Sequence, residues 1–540
     1  MNLARGARKG SDGRIYSSLR DNRTGNTVWK SPQDIADAKV ATPDAMNWDS
    51  ARVPVMNAGK IDYVRREEVD YVLPHFEDAF SHLANLVPLK SGVKPGRMAM
   101  GSRYITQALP LTNPEAPLLQ GTVAGGNGES YEEEYGRQMG AVRSDKAGRV
   151  QSIKDGVITV QHDDGTTQNH EMYEYMPLNR KTYTNQTPVV KEGDQVTPGS
   201  LLARSNFTDE KGSVALGTNL KTAYIPWRGY NFKDAIAISE SASKKLASEH
   251  MYQHDVEVSP QHKIGMRDFV SMFPSVHSKE QLARMGDDGI IRPGETVEYG
   301  QPLILAMRTQ DRPQNKIHKQ RQAGYADESV VWKHHDAGVV TDVASGKKGP
   351  VVAVRSASQM QVGDKLSGRY GDKGVVSVVI PDHQMPHDAN GKPFEVLLSP
   401  LGIVSRTNPT QKIEGWLGKI ARKTGKPVKV PDFGDTDDLV EWTRQQMALH
   451  GIPDTETLTD PEKNRNISDI ATGERFFMKL HHMAESKSKG RGSGGYSADD
   501  SPSKGGETGC FTGAISRVAR ESREVPATRA GAVARVVVPR

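Results

Sequence analysis

Cysteine is all but missing from this chain: Cys510 is the single one in 540 residues. That excludes a disulfide scaffold and any zinc site built on paired cysteines. Long apolar runs are missing as well. The best, Gly374–Ile380, falls far short of the ~18 residues that span a membrane. The N-terminal stretch from Met1 to Lys9 is basic but lacks the apolar region of a secretion signal. Aromatic residues make up 6% and hydrophobic residues 36%, so much of the chain is expected to lie in loops and strands facing solvent or partners. Excess charge is also scarce. Lys and Arg number 71 against 66 Asp and Glu, a net +5, which alone implies no polyanionic partner. Any case for phosphate binding has to come from local clustering of cations. Gly (52) and Pro (31) are abundant and spread throughout, which favours many short strands and turns. At ~150 residues per unit, the length predicts three or four packing units. The expectation is a soluble, reducing-compartment, β-rich protein.

Along the chain, helical periodicity is read over Glu67–Asn85, and a helix or strand over 97–120. From Gly121 to Ala203 the pattern is β, with a hairpin predicted over Arg149–Gln161 around Lys154-Asp155-Gly156. Two segments share a pattern, Gly193–Leu202 and Gly294–Leu303: Gly, an acid, Val, a second Gly, then Leu. This suits a tight turn in a barrel-sandwich module. A carrier-domain reading would need a modifiable Lys in the turn, and neither copy has one. The basic segment 309–335 reads as an exposed excursion, 336–404 as dense β, and Gln411–Arg422 and Asp437–His450 as helices. Asp435–Asp438 is a solvated loop or a helix start. The last 28 residues, Gly513–Arg540, hold six Arg, no Lys and no aromatic. Such a tail is either a divergent extension or the product of a shifted or truncated reading frame.

Three segments carry chemistry. Gly363–Gly374 packs four glycines and the cations Lys365, Arg369 and Lys373 into 12 residues. Glycine lets backbone approach a ligand, and cations on such turns can hold phosphates. On residues alone, a solvated basic hairpin stands level with a phosphate site, and no Walker A pattern occurs. Pro226–Asp234 reads as an aromatic-rich core turn between two strands. Lys479–Arg491 carries its cations against the single Glu485, a strip suited to a polyanion or simply to solvent. His481 and His482 within it are a poor metal pair, since neighbours on a helix or strand point apart.

Taken in order, these segments resemble the β subunit of bacterial-type multisubunit DNA-dependent RNA polymerase. That family's Gly-Asp-Lys-x-x-Gly-Arg-His-Gly-Asn-Lys-Gly-Val is similar to Gly363–Val375, and its Pro-Trp-Asn-Gly-Tyr-Asn-Phe-Glu-Asp to Pro226–Asp234. Its Met-Pro-x-Asp-x-Asn-Gly and Asn-Pro-Leu-Gly-Val-Pro-Ser-Arg-Met-Asn are similar to Met385–Gly391 and Ser399–Asn408. Lys479–Ser497 and Arg97–Pro110 complete the series. The match begins only in the C-terminal half of β, and the other large subunit's Asn-Ala-Asp-Phe-Asp-Gly-Asp is not found. The chain therefore most resembles the split β subunits of giant bacteriophage polymerases.

The resemblance implies a mixed α+β, β-rich fold: a double-psi β-barrel with barrel-sandwich hybrid, wall and flap modules and helical connectors. It implies an entry segment at 1–120, a hybrid-binding or wall module at 121–240 and a flap-like module at 241–345. Barrel at 346–425, helical connector at 426–475, basic clamp-base loop at 476–513 and the atypical tail at 514–540 follow. Lys365, Lys373 and His482 match contacts to the RNA 5′ end and the initiating nucleotide's phosphates. Arg406 matches a triphosphate contact, Gln107 and Arg103 match hybrid contacts, and Asp234 with Lys233 matches an acidic pair near a second metal. Three departures stand out: Lys233 replaces a Glu, Arg103 an Asn, and His481 an Asn. Lys233 removes a metal-ligand role there while leaving a cation for phosphates. Implied partners are a chain with the β N-terminal half, a β′-type chain bearing Asp-Phe-Asp-Gly-Asp and most of the Mg²⁺, template DNA, nascent RNA and nucleoside triphosphates. No zinc and no membrane are expected, and the location is the infected bacterial cytoplasm, with packaging into virions possible. The reaction is DNA-directed RNA synthesis, a nucleotidyl transfer performed only in the complex. Two rivals stay open: a non-enzymatic nucleic-acid-binding virion protein, and an inactive remnant.

Overall fold

The computed structural model describes residues 4–309, 325–346, 349–433 and 438–487. Its centre is a closed barrel of six strands: β1 (Thr218–Tyr224), β2 (Ala235–Ser239), β3 (Lys365–Ser367), β4 (Lys373–Ile380), β5 (Val396–Leu398) and β6 (Arg465–Lys479). The ring runs β1–β5–β2–β4–β3–β6 and closes through the β1–β6 pairing, Thr218↔Phe477 to Ala223↔Thr472. β1/β5 and β2/β4 are parallel and the other pairs antiparallel. Closure leaves the ring without an edge. β6 is long enough to pair with β3 and β1, and its outer half with the strand Thr455–Asp460. Leu220, Ile236, Ile238, Leu366, Val376, Val396 and Phe477 form one buried cluster. Ala223, Ala237 and Leu397, on the opposite faces of the same strands, are buried in a second cluster with Trp227 and Phe394, so these strands are covered on both faces.

Three helices matter to the site. α1 (Pro95–Ile105) starts on proline, whose fixed φ and missing N–H suit a first turn. α2 (Thr410–Thr424) buries Ile413, Leu417 and Ile420 on one face and ends on left-handed Gly425. It crosses β6 where two glycines meet: a Cβ on Gly415 would lie 3.1 Å from Gly473 Cα. α3 (Leu439–His450) is capped by Asp438, whose carboxylate accepts from the Val440 and Glu441 N–H groups. Asp438 is thus the helix start foreseen, while Asp435 lies outside the described residues. So do 310–324 of the basic excursion and the whole tail.

The predicted hairpin forms from Gly148–Lys154 and Val157–His162, turning through left-handed Asp155 and Gly156. The two matching segments adopt the same turn. Gly193 and Gly199 have φ of 90° and 86°, Gly294 and Gly300 of 88° and 84°, and in each copy the Val and Leu are buried. The helix expected over Glu67–Asn85 is not there. That stretch is the strand Tyr71–Val72, short 3-10 turns and one turn of α-helix at His82–Asn85. Pro74 interrupts it, and its apolar residues serve two separate cores. Val69 and Val72 pack in the N-terminal sheet, Leu83 and Leu86 against Tyr104, Tyr131 and Tyr370.

Candidate functional site

The glycine-rich turn between β3 and β4 has a buried back and an open front. At the back, Arg369 and Arg475 are almost fully buried. Arg369 donates to Glu414 (2.7 Å), Glu132 (3.3 Å) and the Leu119 carbonyl (2.9 Å). Arg475 donates to Asp372 (2.7 Å), Glu414 (3.2 Å) and Gln411 (3.2 Å). Burial pushes the Glu132 carboxyl up to about 7, opposed by the Arg369 charge. Arg369 is therefore no phosphate ligand. The solvated-hairpin reading fails for it as well, because its charge is spent inside the protein.

α1 braces the same turn. A Cβ on Gly101 would sit 1.9 Å from the Arg369 carbonyl oxygen, and one on Gly371, at φ 72°, would sit 2.6 Å from the Arg97 carbonyl oxygen. Only glycine permits that approach. Arg97 donates to the Gly371 carbonyl at 3.1 Å, and the Tyr104 ring lies 5.0 Å from the Lys373 ammonium.

The front is a shallow open depression at the barrel mouth, lined by Lys233, Asp234, Asp372, Lys373, Ser399, Arg406 and neighbouring residues. Each side chain is aimed by its own local device. Asn231 pins the Pro226–Asp234 turn, accepting from the Trp227 N–H (2.8 Å) and donating to the Ile225 carbonyl (2.6 Å). Trp227 is buried as the core-turn reading requires, whereas Phe232 is 65% exposed. Lys233 has a left-handed φ of 58°. The Val375 N–H donates to the Asp234 carbonyl at 3.0 Å, a contact that a Cβ on Gly374 would block. Arg406 ends the helix Leu401–Arg406, and Asn408 just beyond donates to the Tyr370 carbonyl at 2.9 Å, tying it to the glycine turn. Arg406 is ion-paired with Asp234.

Four of the eight predicted site residues thus meet in one depression. Gln107 and His482 meet in another place: the His482 ring N–H donates to the Gln107 amide oxygen at 3.1 Å. Lys365, half-buried on β3, stands between the two groups, since its carbonyl accepts from the Leu480 N–H at 3.0 Å. Arg103 is exposed in the last turn of α1 and does not line the depression.

Two expectations on the third segment need correction. Lys479 does not face a polyanion: it is fully buried, donates to the Ser358 (2.8 Å) and Gln359 (3.1 Å) carbonyls and lies 3.7 Å from Asp364. Burial depresses its ammonium, with Asp364 opposing. The rings of His481 and His482 do not diverge, their centroids being 4.2 Å apart, because both lie beyond the end of β6 where strand alternation no longer applies. Lys489 and Arg491 fall outside the described residues. The Glu132–Arg369–Glu414–Arg475 group escaped the sequence reading. The one local sign of it was Gln411 and Glu414, polar residues three apart on the buried face of α2.

A family model for RNA polymerase Rpb2, domain 6, matches residues 140–505, more than half of the chain. The chain is similar to "DNA-directed RNA polymerase subunit beta" of Syntrophomonas wolfei, 31% identical over 458 residues, covering 80% of this chain and 40% of the relative. The Streptomyces coelicolor protein of that name is 30% identical over 519 residues (86% and 44%), and that of Ligilactobacillus salivarius 32% over 459 (80% and 37%). The chain spans about two fifths of the length of these curated relatives. The match runs through the closed barrel and its glycine turn, and on it the chain belongs to the family of RNA polymerase Rpb2, domain 6.

Proposed function

We propose that this chain is a β-type subunit of a multisubunit DNA-directed RNA polymerase, supplying the C-terminal half of β in a split enzyme of the giant-bacteriophage kind. The observation that carries this reading is the convergence of Lys233, Lys373 and Arg406 on one barrel-mouth depression, with Lys365 on the adjoining strand. Nucleotidyl transfer asks little covalent chemistry of the protein. Positioning and charge stabilisation dominate, and cations aimed at one space can hold triphosphate and RNA phosphates in line. Arg406 is held by Asp234 before a triphosphate arrives. In this reading a triphosphate displaces Asp234 from the guanidinium, and Lys233 serves phosphate where the family has an acid. Gln107, Arg103 and His482 contact the RNA–DNA hybrid and the initiating nucleotide.

The donors of this chain do not fit a resident Mg²⁺. Asp234 is committed to Arg406 beside Lys233, and among the described residues no group of three His, Cys, Asp or Glu could hold a metal ion. The ion belongs to the partner bearing Asp-Phe-Asp-Gly-Asp. In this reading the closed barrel is the double-psi barrel of that family and residues 241–345 supply the flap-like module. The setting is the infected bacterial cytoplasm, with the virion as a second location; among the described residues no helix is long and apolar enough to cross a membrane.

The test is transcription by the complex assembled from its native partners. Chains bearing the missing half of β and the Asp-Phe-Asp-Gly-Asp motif should co-purify with a tagged copy, and Lys365→Ala and Lys373→Ala should each abolish most RNA synthesis. Normal synthesis by both variants refutes the site. Purification with structural proteins alone supports the virion-protein reading instead.

A further inference from the structure

α1 crosses the glycine-rich turn and meets it at three points, all from one stripe of the helix. Arg97, Gly101 and Tyr104 are spaced four and three residues apart, the interval that keeps side chains on one face. They meet alternate residues of the turn. Gly101 backs onto the Arg369 carbonyl, Arg97 donates to the Gly371 carbonyl at 3.1 Å, and the Tyr104 ring faces the Lys373 ammonium. The first two contacts fix backbone, whereas the third reaches a side chain of the depression.

Tyr104 is 7% exposed and packs in one cluster with Leu86, Tyr131 and Tyr370, so its ring is fixed. Lys373 is exposed and lines the depression, which Tyr104 does not. The ammonium lies 5.0 Å from the ring centroid, inside the ~6 Å over which an aromatic face attracts a cation. The acids that could compete for it are taken: Asp234 by Arg406, and the adjoining Asp372 by Arg475 at 2.7 Å. Two cations of the depression are thus held in different ways. Arg406 is held by a carboxylate, which offsets its charge until a phosphate replaces it. Lys373 is held by a neutral ring, which aims the ammonium and leaves its full charge for a phosphate.

We infer that Tyr104 is a positioning residue of the polymerase site, its ring face setting where the Lys373 ammonium stands before a nucleotide phosphate arrives. The inference rests on the polymerase reading above. Lysine is a flexible stem with a point charge at its end, and ordering such a side chain during binding costs affinity. A ring that orders it beforehand removes that cost. Tyr104 acts through Lys373 and touches no substrate, so its loss belongs in the KM of the initiating nucleotide rather than in kcat at saturation.

The experiment measures abortive synthesis by the assembled polymerase carrying phenylalanines of graded ring fluorination at position 104. Fluorine draws charge from the ring face and barely alters its shape, so packing stays constant while the attraction for a cation falls. Tyr104→Phe keeps the face and should hold the wild-type KM for the initiating nucleotide. Each added fluorine should raise that KM, reaching roughly 2- to 5-fold for the trifluorinated ring, with kcat and thermal midpoint as in Tyr104→Phe. On the residual synthesis of Lys373→Ala complexes the same series should be flat. A flat series with Lys373 in place, or a graded one without it, overturns the positioning role. A KM raised in Tyr104→Phe and indifferent to fluorine assigns the effect to the hydroxyl and overturns it too. Wild-type complexes that make no RNA, or Lys373→Ala complexes at full activity, overturn the underlying reading instead.

Discussion

Arg369 and Lys373 belong to one turn, four residues apart, and have opposite fates. Arg369 turns inward, where with Arg475 it pairs with Glu414 and Asp372 and donates to Glu132, whose carboxyl is held up at about 7 by burial. Lys373 and Arg406 turn outward into the barrel mouth. The back is built so that every charge is matched inside the chain, and the front carries cations beyond what its acids match. A cation's worth to function therefore depends on which side of the barrel wall it occupies. The buried set costs desolvation and returns a fixed turn; the open set costs little and leaves charge for a ligand.

The largest effect should come from breaking the back. Arg475→Met leaves Glu414 and Asp372 facing an uncharged neighbour, and should cost about 3–5 kcal/mol of stability, the range for removing one partner of a buried pair. Denaturant melts would show it, and a loss under 1 kcal/mol would mean that the network is dispensable. Lys373→Ala should do the opposite: stability within about 0.5 kcal/mol of wild type, as for an ordinary surface change, but RNA synthesis by the complex reduced roughly 10²–10³-fold, as for losing one preorganised charge-stabilising donor. Stability loss with synthesis intact would erase the contrast between the two cations. Gly101→Ala lies between them, because it presses α1 off the Arg369 carbonyl without touching a charge. It should cost about 1–3 kcal/mol through overpacking and lower synthesis only in proportion to folded protein.

The same division explains what could be read from the chain. The paired turns at Gly193 and Gly294 were readable because everything that defines them lies within ten residues. Lys233, Asp234, Lys373 and Arg406 were each found through the family resemblance, one motif at a time. Their meeting in one depression is set by barrel closure, which no local pattern encodes. Arg369 was misjudged because its partners Glu132 and Glu414 stand 237 and 45 residues away. Lys479 was misjudged for the same reason, its partners being carbonyls some 120 residues earlier. The false helix at Glu67–Asn85 shows the converse error. Val69, Val72, Leu83 and Leu86 fall at helix-like intervals, yet the first two belong to one core and the last two to another.

The smallest predicted effect sharpens the comparison most. Burial raises the folded-state Glu132 carboxyl to about 7 from 4.5, and Arg369 only partly offsets this. Between those two values the folded chain holds a proton that the unfolded chain has lost. Stability from this group is therefore full below pH 4.5 and declines as pH rises towards 7, by at most about 1.4 kcal/mol per pH unit for one proton. Glu132→Gln, which stays uncharged throughout, should flatten that part of the profile, read as denaturant midpoints at pH 5, 6 and 7. Lys373→Ala should leave the slope as it is in the wild type, because Lys373 lines the front and is not among the charges acting on Glu132, which are those of Arg369, Lys90 and Asp432. If both variants keep the wild-type slope, the proton sits elsewhere. Glu132 is then a charged partner of Arg369, and the back of the turn is a fully ionised cluster in which two arginines face three carboxylates.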